Sequence, residues 1–380
     1  MTTHINHEET TFYEELQNCS ELDLRDARGK LLDMPFALIG LTISLLRNRD
    51  GNLSSIHRSM KNKNQELCSF LGIAEKVVVS RSHLSVLLQK VNLSVFENLL
   101  FKRYGIELSE TEKQWFSGDG KELKGSIEKG DKRGDAIVQL VKHDDREVLS
   151  QSFYNGKKES EKPCLRALLK DSGAGNQKIT LDALHLNPLT TNLINGEEGI
   201  YMIGLKGNQK NLLASMNSYA KQTAPIAQVK TEDKGHGRLE IRKYYQYDIS
   251  SQDFDERWKK SDFKSLFKVE RYRKIQRTGK ESTSIDYYIS NGEYDEQEDY
   301  FGAIRSHWSV ETNNHVRDKT LREDQLRTKK KPAGKVLAGL RTLTIKLLGL
   351  VKPKNMVEQL ELFSDHFHQL LHWLKSVNFL

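Results

Sequence analysis

Cysteine is scarce in this chain of 380 residues, which contains three: Cys19, Cys68 and Cys164. They are odd in number, far apart in the sequence and never spaced as CxxC. This pattern argues against a disulfide framework and against a cysteine-based zinc site. It is typical of a protein that works in a reducing cytosol.

The sequence also lacks a long apolar run. The longest, over residues 34–46, is too short to span a bilayer and ends in RNRD. The first residues, MTTHINHEETTFYEEL, do not have the basic and then apolar segments of a signal peptide. We therefore expect a cytoplasmic protein that has no membrane partner.

Nucleotide-binding loops are missing as well. Gly173 and Gly175 lack the GxGxxG spacing and lie between a predicted helix and a predicted strand, and there is no Walker A sequence. Lys and Arg outnumber Asp and Glu by 59 to 52, for a net charge of +7. This excess favours a polyanionic partner such as nucleic acid, although a basic protein that binds none has the same balance.

Helical periodicity dominates the first 104 residues. The segments PFALIGLTISLL, SHLSVLLQKV and LSVFENLLFKRYG have apolar residues three and four apart, and Pro35 lies in a first-turn position. Asn52 or Ser54 is expected to cap a helix that ends near Gly72. Exposed basic residues permit a helix-turn-helix unit here, and an ordinary helical domain is the alternative.

After residue 115 the pattern changes to short strands. The runs DAIVQLV and EVLSQSFY predict a hairpin, followed by a helix over CLRALLKD and strands over KITLDALH and IYMIGLKG. Residues 237–290, rich in Tyr, Arg and Lys, predict antiparallel strands with a basic face, and the last ninety residues are helical again. The order predicts an α/β (α+β) fold, a mixed sheet covered by helices.

Three acidic residues occupy positions from which their side chains can converge. Asp119 lies where the helical region gives way to strands, Asp182 ends the strand KITLDALH, and Glu311 lies on a predicted helix. Carboxylates suit Mg²⁺ or Mn²⁺, and two such ions support in-line displacement at a phosphodiester. Position alone does not single these three out among 52 acidic residues.

Five segments nevertheless resemble the motifs of one protein family, and they occur in the same order as in that family. They are WFSGDGKELKGS, ITLDALHLN, YMIGLKGNQKNLL, GHGRLEIRKYY and IRSHWSVETNNHVRDKTLREDQLR. Together they resemble the DDE transposases of bacterial insertion sequences, in the H-repeat-associated (rearrangement hot spot) family. The resemblance runs from about residue 10 to residue 350.

The resemblance implies that Asp119, Asp182 and Glu311 are catalytic metal ligands for Mg²⁺ or Mn²⁺, with two ions expected. It also implies a ribonuclease-H-like catalytic domain over residues 111–350, with a β insertion at about 230–295. A helical N-terminal domain (1–110) that binds DNA would precede it, and a helical tail (351–380) would follow.

The same resemblance implies a transposase that cleaves the ends of its element and transfers the strands. Its partner would be double-stranded DNA, bound by a homodimer or larger assembly at the bacterial nucleoid. A catalytically silent DNA-binding relative and a nuclease that cuts without joining are the alternatives.

Further residues near the three carboxylates are candidates for DNA contacts, each with a structural alternative. Lys121 and Lys206 are candidate phosphate contacts, while Asn208 is expected to cap the next helix. Asp324 is a candidate for a carboxylate that supports the metal ligands from outside, and a salt bridge to Arg322 or Arg327 is the alternative. The remaining candidate DNA contacts are His236, Arg238, His307 and Arg322.

His307 departs from the family pattern. Related transposases often have an arginine at this place, so a role that depends on positive charge is in doubt. His307 lies four residues before Glu311, and the two are expected to share one helix face.

Overall fold

The computed structural model describes residues 10–26, 28, 30, 32–109, 111–235, 237–328 and 330–380. Within these residues it consists of one mixed β-sheet with helices before it, between its strands and after it. The predicted mixed α/β fold is confirmed.

Six helices precede the sheet in the described chain, and two of their ends are set by capping residues. Asn52 accepts a hydrogen bond from the Ser55 backbone N–H, and Gly72 ends a helix with a left-handed φ of 66°. Both were expected, as was Pro35 in a first turn. The helices are α1 (Phe12–Asn18), α2 (Met34–Leu45), α3 (Leu53–Asn62), α4 (Asn64–Leu71), α5 (Arg81–Leu88) and α6 (Leu93–Tyr104).

The sheet has nine strands within the described residues, in the spatial order 3-2-1-4-5-9-8-7-6. The first three pair antiparallel, the fourth and fifth lie parallel to the first, and the last four continue as antiparallel strands from the edge of the fifth. The strands are β1 (Trp115–Glu122), β2 (Ala136–Lys142), β3 (Val148–Tyr154), β4 (Lys178–Leu181), β5 (Ile200–Leu205), β6 (Ala227–Gly235), β7 (Arg238–Asp248), β8 (Ser265–Ile275) and β9 (Glu281–Ser290).

The remaining helices connect the strands and close the chain. They are α7 (Lys158–Asp171), α8 (Pro188–Gly196), α9 (Lys210–Gln222), α10 (Tyr300–Ser306), α11 (Trp308–His315), α12 (Lys331–Val351), α13 (Met356–Asp365) and α14 (Phe367–Ser376). A π-helical turn over Val316–Thr320 prolongs α11, so Glu311 lies on a helix as expected.

Helices from both ends of the chain share one apolar core. It joins residues of α1–α6 to residues of α12–α14 and of the segment before α12. Phe12 stacks on Phe379 with 5.8 Å between ring centroids, and the Phe12 backbone N–H donates to the Asn378 carbonyl. The N-terminal helices and the last helices therefore bury their apolar faces against each other, and the domain boundaries at 110 and 350 stay predictions.

A buried polar layer lies between α12 and the sheet. Arg317 is fully buried and donates two hydrogen bonds to the Glu323 carboxylate, at 2.8 and 2.7 Å. It also donates to the Thr342 hydroxyl (2.8 Å) and the Ala338 carbonyl (3.0 Å) of α12. Burial alone would raise the pKa of Glu323, but Arg317 lowers it to about 2.

Among the residues that the structure describes, no helix is both long enough and apolar enough to cross a membrane.

Replacing Glu323 by Gln should destabilise the fold strongly, because Arg317 would keep a buried charge without its carboxylate. We expect a loss of about 3–5 kcal/mol in the free energy of unfolding, measured by denaturant titration. The folded pKa of Glu323, about 2, is below its ordinary 4.5. Its contribution to stability is therefore present above pH 4.5 and lost as the pH falls toward 2.

Glu281→Gln is the matched control, because Glu281 pairs with Lys274 on the surface, where ion pairs contribute little. An equal loss of stability in both variants would contradict the role assigned to the buried pair.

Candidate active site

Two aspartates lie side by side on neighbouring parallel strands, Asp119 within β1 and Asp182 directly after β4. In the register of β1 and β4, Gly118 lies opposite Leu181, and the next residue along each strand is Asp119 or Asp182. This register brings the two carboxylates together, although β1 continues beyond Asp119 to Glu122. Asp182 also accepts a hydrogen bond from the Leu184 backbone N–H (2.9 Å), which fixes the chain where it leaves β4.

Helix α11 packs against the face of β1 that carries Asp119. The Ser117 and Ser309 hydroxyls are 2.8 Å apart, and the Asn314 amide donates to Asp119 Oδ2 at 3.2 Å. Glu311 lies on the same helix between these two contacts, with its side chain exposed. The structure thus brings the three predicted carboxylates to one end of the sheet.

Glycines on either side of Asp119 let helix α7 approach the opposite face of β1. A Cβ atom at Gly118 would lie 3.0 Å from Leu165 of α7. At Gly120 it would lie 2.7 Å from the Glu161 carboxyl carbon and would overlap the Tyr154 hydroxyl. The GDG sequence therefore places an acid on one face of the strand and close backbone contact on the other.

Glu161 is a fourth carboxylate at this end of the sheet, and the sequence analysis did not find it. Its side chain accepts a hydrogen bond from the Tyr154 hydroxyl at 3.0 Å. His185 Nε2 lies 3.2 Å from Glu161 Oε1 and 3.9 Å from Asp182 Oδ1, so the imidazole connects the two acids.

The apolar spacing of α7 contains a feature from which Glu161 could have been identified as a buried carboxylate. Glu161, Leu165, Leu168 and Leu169 form the buried stripe of α7, at the spacing of an amphipathic helix. A carboxylate within an apolar stripe is rare unless it is paired, and so it marks a buried contact worth locating.

Asp119 is buried and has three other carboxylates near it. Burial raises the pKa of Asp119 to about 7. The charges of Asp182, Glu161 and Glu311 act in the same direction, whereas the hydrogen bond from the Gly120 backbone opposes them. The other three carboxylates therefore disfavour the charged form of Asp119, and a bound cation would relieve this repulsion.

The described residues include no group of three or more His, Cys, Asp or Glu side chains arranged to hold one metal ion. The four carboxylates share an edge of the sheet without meeting at a single point. All four nevertheless offer oxygen, the donor that Mg²⁺ and Mn²⁺ prefer, so the donor set fits those ions chemically.

Two histidines meet at the Thr180 hydroxyl, next to the aspartates. His143 Nε2 lies 2.9 Å from it and His307 Nδ1 lies 3.1 Å from it. Burial lowers the pKa of His307 to about 4 and that of His143 to about 3, so both rings are neutral at pH 7. His307 lies between α10 and α11, as the residue directly before α11, four residues before Glu311.

Lys121 and Asp324 belong to a cluster of charges beside β1. The buried Lys121 ammonium lies 2.7 Å from Asp318 and 3.4 Å from both Glu323 and Asp324. Asp324 pairs also with Lys124 at 2.5 Å, so its ion-pair partners are lysines and not Arg322 or Arg327, which the alternative interpretation had named. These contacts attach β1 to the segment that follows α11.

The other predicted DNA contacts are spread around the site. Lys206 is exposed at the end of β5, Arg238 is exposed at the start of β7, and Arg322 has a left-handed φ of 47°. His236 lies outside the described residues. The assignment of these residues to DNA stays a prediction.

The expectation for Asn208 was wrong. Its side chain does not cap α9 and instead donates to the Ala183 carbonyl at 2.6 Å. Asn208 therefore connects the end of β5 to the chain just after Asp182.

No protein-family model matches the chain. "Putative transposase YncI" of Escherichia coli O157:H7 is 27% identical over 272 residues, 67% of this chain and 68% of that protein. Two proteins of Escherichia coli K12 each match over 253 residues, 63% of this chain and 65% of their own length. "Putative protein YbfL" is 27% identical and "H repeat-associated putative transposase YhhI" is 26% identical.

The chain is therefore similar to putative transposases, one of which is described as H repeat-associated. The predicted resemblance is confirmed, although the alignments cover a smaller share of the chain than the motifs had indicated.

Asp119→Asn should change how the stability of this transposase relative depends on pH. In EDTA, the folded chain holds a proton on Asp119 between the ordinary pKa of 3.8 and the folded value of about 7. The wild-type chain should therefore lose stability as the pH rises through this window, and the asparagine variant should lose less. Urea unfolding at about pH 5 and about pH 8 measures the difference.

Asp131→Asn, at an exposed loop position, is the control. The interpretation fails if Asp119→Asn and wild type differ by the same free energy of unfolding at both pH values.

Gly120→Ala should destabilise the chain by about 1–3 kcal/mol, because the methyl group would overlap Tyr154 and Glu161. Gly207→Ala is the matched control, since a Cβ atom there meets nothing within 4 Å. Adding Tyr154→Phe should restore part of the loss by removing the overlapping oxygen. Equal unfolding free energies for the two glycine variants would contradict the close approach of α7.

Proposed function

We propose that this chain is a transposase that binds the ends of its element, cleaves DNA there and transfers the strands. In this proposal Asp119, Asp182 and Glu311 hold the divalent metal ions. The observation that carries it is the placement of two aspartates on adjacent parallel strands, under a helix that bears the glutamate. The printed names of two relatives, which describe transposases, support the same reaction class.

The order of the first five strands supports a ribonuclease-H-like core. Three antiparallel strands followed by two parallel ones, in the order 3-2-1-4-5, is the arrangement expected of that fold. Strands β6–β9 come between Asp182 and Glu311 in the chain, where the resemblance implied an insertion.

The donor set is compatible with Mg²⁺ or Mn²⁺. Bound there, such ions supply Lewis acidity that activates the attacking oxygen and stabilises the leaving oxygen of a phosphodiester. Hydrogen bonds from other residues of the chain orient the carboxylates. Asn314 holds one oxygen of Asp119, and the hydrogen bond from the Leu184 backbone holds one oxygen of Asp182.

Glu161 and His185 contact the carboxylate site from the side of α7. His185 lies between Glu161 and Asp182, and Tyr154 donates to Glu161 from β3. We assign these residues to positioning the acids, because each contacts an acid of the site.

The proposed partner is double-stranded DNA at the bacterial nucleoid. Two element ends must be brought together for strand transfer, so we propose that a homodimer or larger assembly acts on DNA.

Removing one carboxylate should abolish chemistry while leaving DNA binding in place. We expect Asp119→Asn, Asp182→Asn and Glu311→Gln each to lower Mg²⁺-dependent cleavage by roughly a hundredfold or more. The substrate is DNA that carries the repeats flanking the reading frame in its genome. Binding of the same DNA is measured separately in EDTA.

Asp144→Asn is the control, because Asp144 is an exposed acid in the turn between β2 and β3. Full cleavage by all three variants would remove these residues from the mechanism. Cleavage without strand-transfer products would identify a nuclease, and metal-independent binding without cleavage would identify a silent DNA-binding relative.

A further inference from the structure

A cavity of about 260 Å³ lies between the inserted strands and helices α10 and α11, the second of which carries Glu311. It is lined by residues of β7 and β8 on one side and of α10 and α11 on the other. We call it the arginine groove, after Arg238, Arg242, Arg271, Arg273 and Arg305, with Trp308 at one side.

Strand register places like charges opposite each other in this groove. Arg242 of β7 is the direct neighbour of Arg271 of β8. Directly opposed like charges destabilise a sheet unless something of opposite charge lies between them or beside them. An anion that enters the groove would relieve this repulsion.

Part of the positive charge is balanced by acids in a chain of contacts. Asp233 lies 2.7 Å from Arg305 and 2.8 Å from Arg242, while Glu240 pairs with Arg242 and with Arg273. These pairs attach α10 to the inserted strands, and they account for three of the five arginines.

Arg238 and Arg271 remain outside this chain of contacts. Arg238 is exposed and forms no ion pair with another described residue within 4.0 Å. Arg271 is 3.8 Å from Asp286, and its Nε atom is buried without a hydrogen-bond partner among the described residues. A buried donor without a partner points to a ligand that supplies an acceptor.

Trp308 connects the groove to the carboxylates. Trp308 is 53% exposed, although tryptophan is usually largely buried, and it is the first residue of α11. Glu311 follows three residues later, on the neighbouring part of the same helix surface. A strand that lies in the groove and passes Trp308 therefore runs along the helix that carries Glu311.

The chemistry of these residues matches an unpaired DNA strand. Guanidinium groups bind phosphate oxygens in pairs of hydrogen bonds, and exposed aromatic rings stack on bases that are free of a duplex. We propose that the arginine groove binds a single-stranded segment of DNA, with phosphates on Arg238 and Arg271 and a base on Trp308. This proposal rests on the proposed function, and it identifies the form of DNA that leads to the site.

The test measures binding of a short fluorescent single-stranded oligonucleotide in EDTA by anisotropy, over a range of salt concentrations. Arg238→Ala/Arg271→Ala should weaken binding roughly tenfold. The slope of the logarithm of the binding constant against the logarithm of the salt concentration should become shallower by about one to two, because two phosphate contacts are lost. Trp308→Ala should weaken binding about tenfold with the same salt dependence, because stacking releases no counterions.

Lys230→Ala/Lys243→Ala is the matched control. These lysines are also directly opposed in neighbouring strands, but they lie on the other face, since Lys243 follows Arg242. The control should bind as wild type does. Thermal unfolding of every variant verifies that the fold is retained.

Equal binding by wild type and the arginine variant would overturn the proposal, as would equal losses in the arginine and lysine variants. An oligonucleotide displaced by acidic peptide but not by unlabelled single strand would overturn it too. A chain that never cleaves DNA yet loses binding in the arginine variant would reject the proposed function and keep the groove. A chain that cleaves normally with an altered groove would reject the groove alone.

Discussion

The buried pair of Arg317 and Glu323 determines where the helix of Glu311 lies. Arg317 lies in the π-helical turn that prolongs α11, and its guanidinium is held by Glu323 on one side and by α12 on the other. Glu323 in turn contacts Lys121, two residues beyond Asp119 in β1. One pair of charges thus fixes the position of a helix with respect to a strand. Because neither charge can be hydrated in the interior, the pair allows little displacement of either element.

Local patterns in the sequence were sufficient to predict the strand that leads to Asp182, but not β1, which carries Asp119. The run KITL is apolar enough to be buried in a parallel sheet, and the polar Asp182 that follows it marks its end. Caps such as Asn52 and stops such as Gly72 were predictable for the same reason, because they satisfy backbone groups of nearby residues. The position of Glu311 on a helix followed from its neighbours in the same way.

The environment of the site was not predictable, because residues far apart in the sequence create it. Glu161 approaches Asp119 only because α7 crosses β1 at two glycines. Lys121 was a candidate phosphate contact, but the chain after α11 brings three acids to its ammonium. Asn208 looked like a helix cap, yet its acceptor belongs to the turn after β4. A single sequence contains no information on such distant neighbours, and the choice of three acids among many required the family resemblance.

The inserted strands are continuous with the sheet rather than attached to it by a flexible connection. Strand β9 pairs with β5 from Met202 opposite Ser290 to Leu205 opposite Tyr287, and Met202, Phe267 and Tyr300 share a small apolar core. Deleting β6–β9 would therefore leave the edge of β5 without hydrogen-bond partners and uncover apolar side chains. A shortened protein made by joining β5 to α10 would be prone to aggregate. The inserted strands therefore belong to the same folding unit as the strands that carry the aspartates.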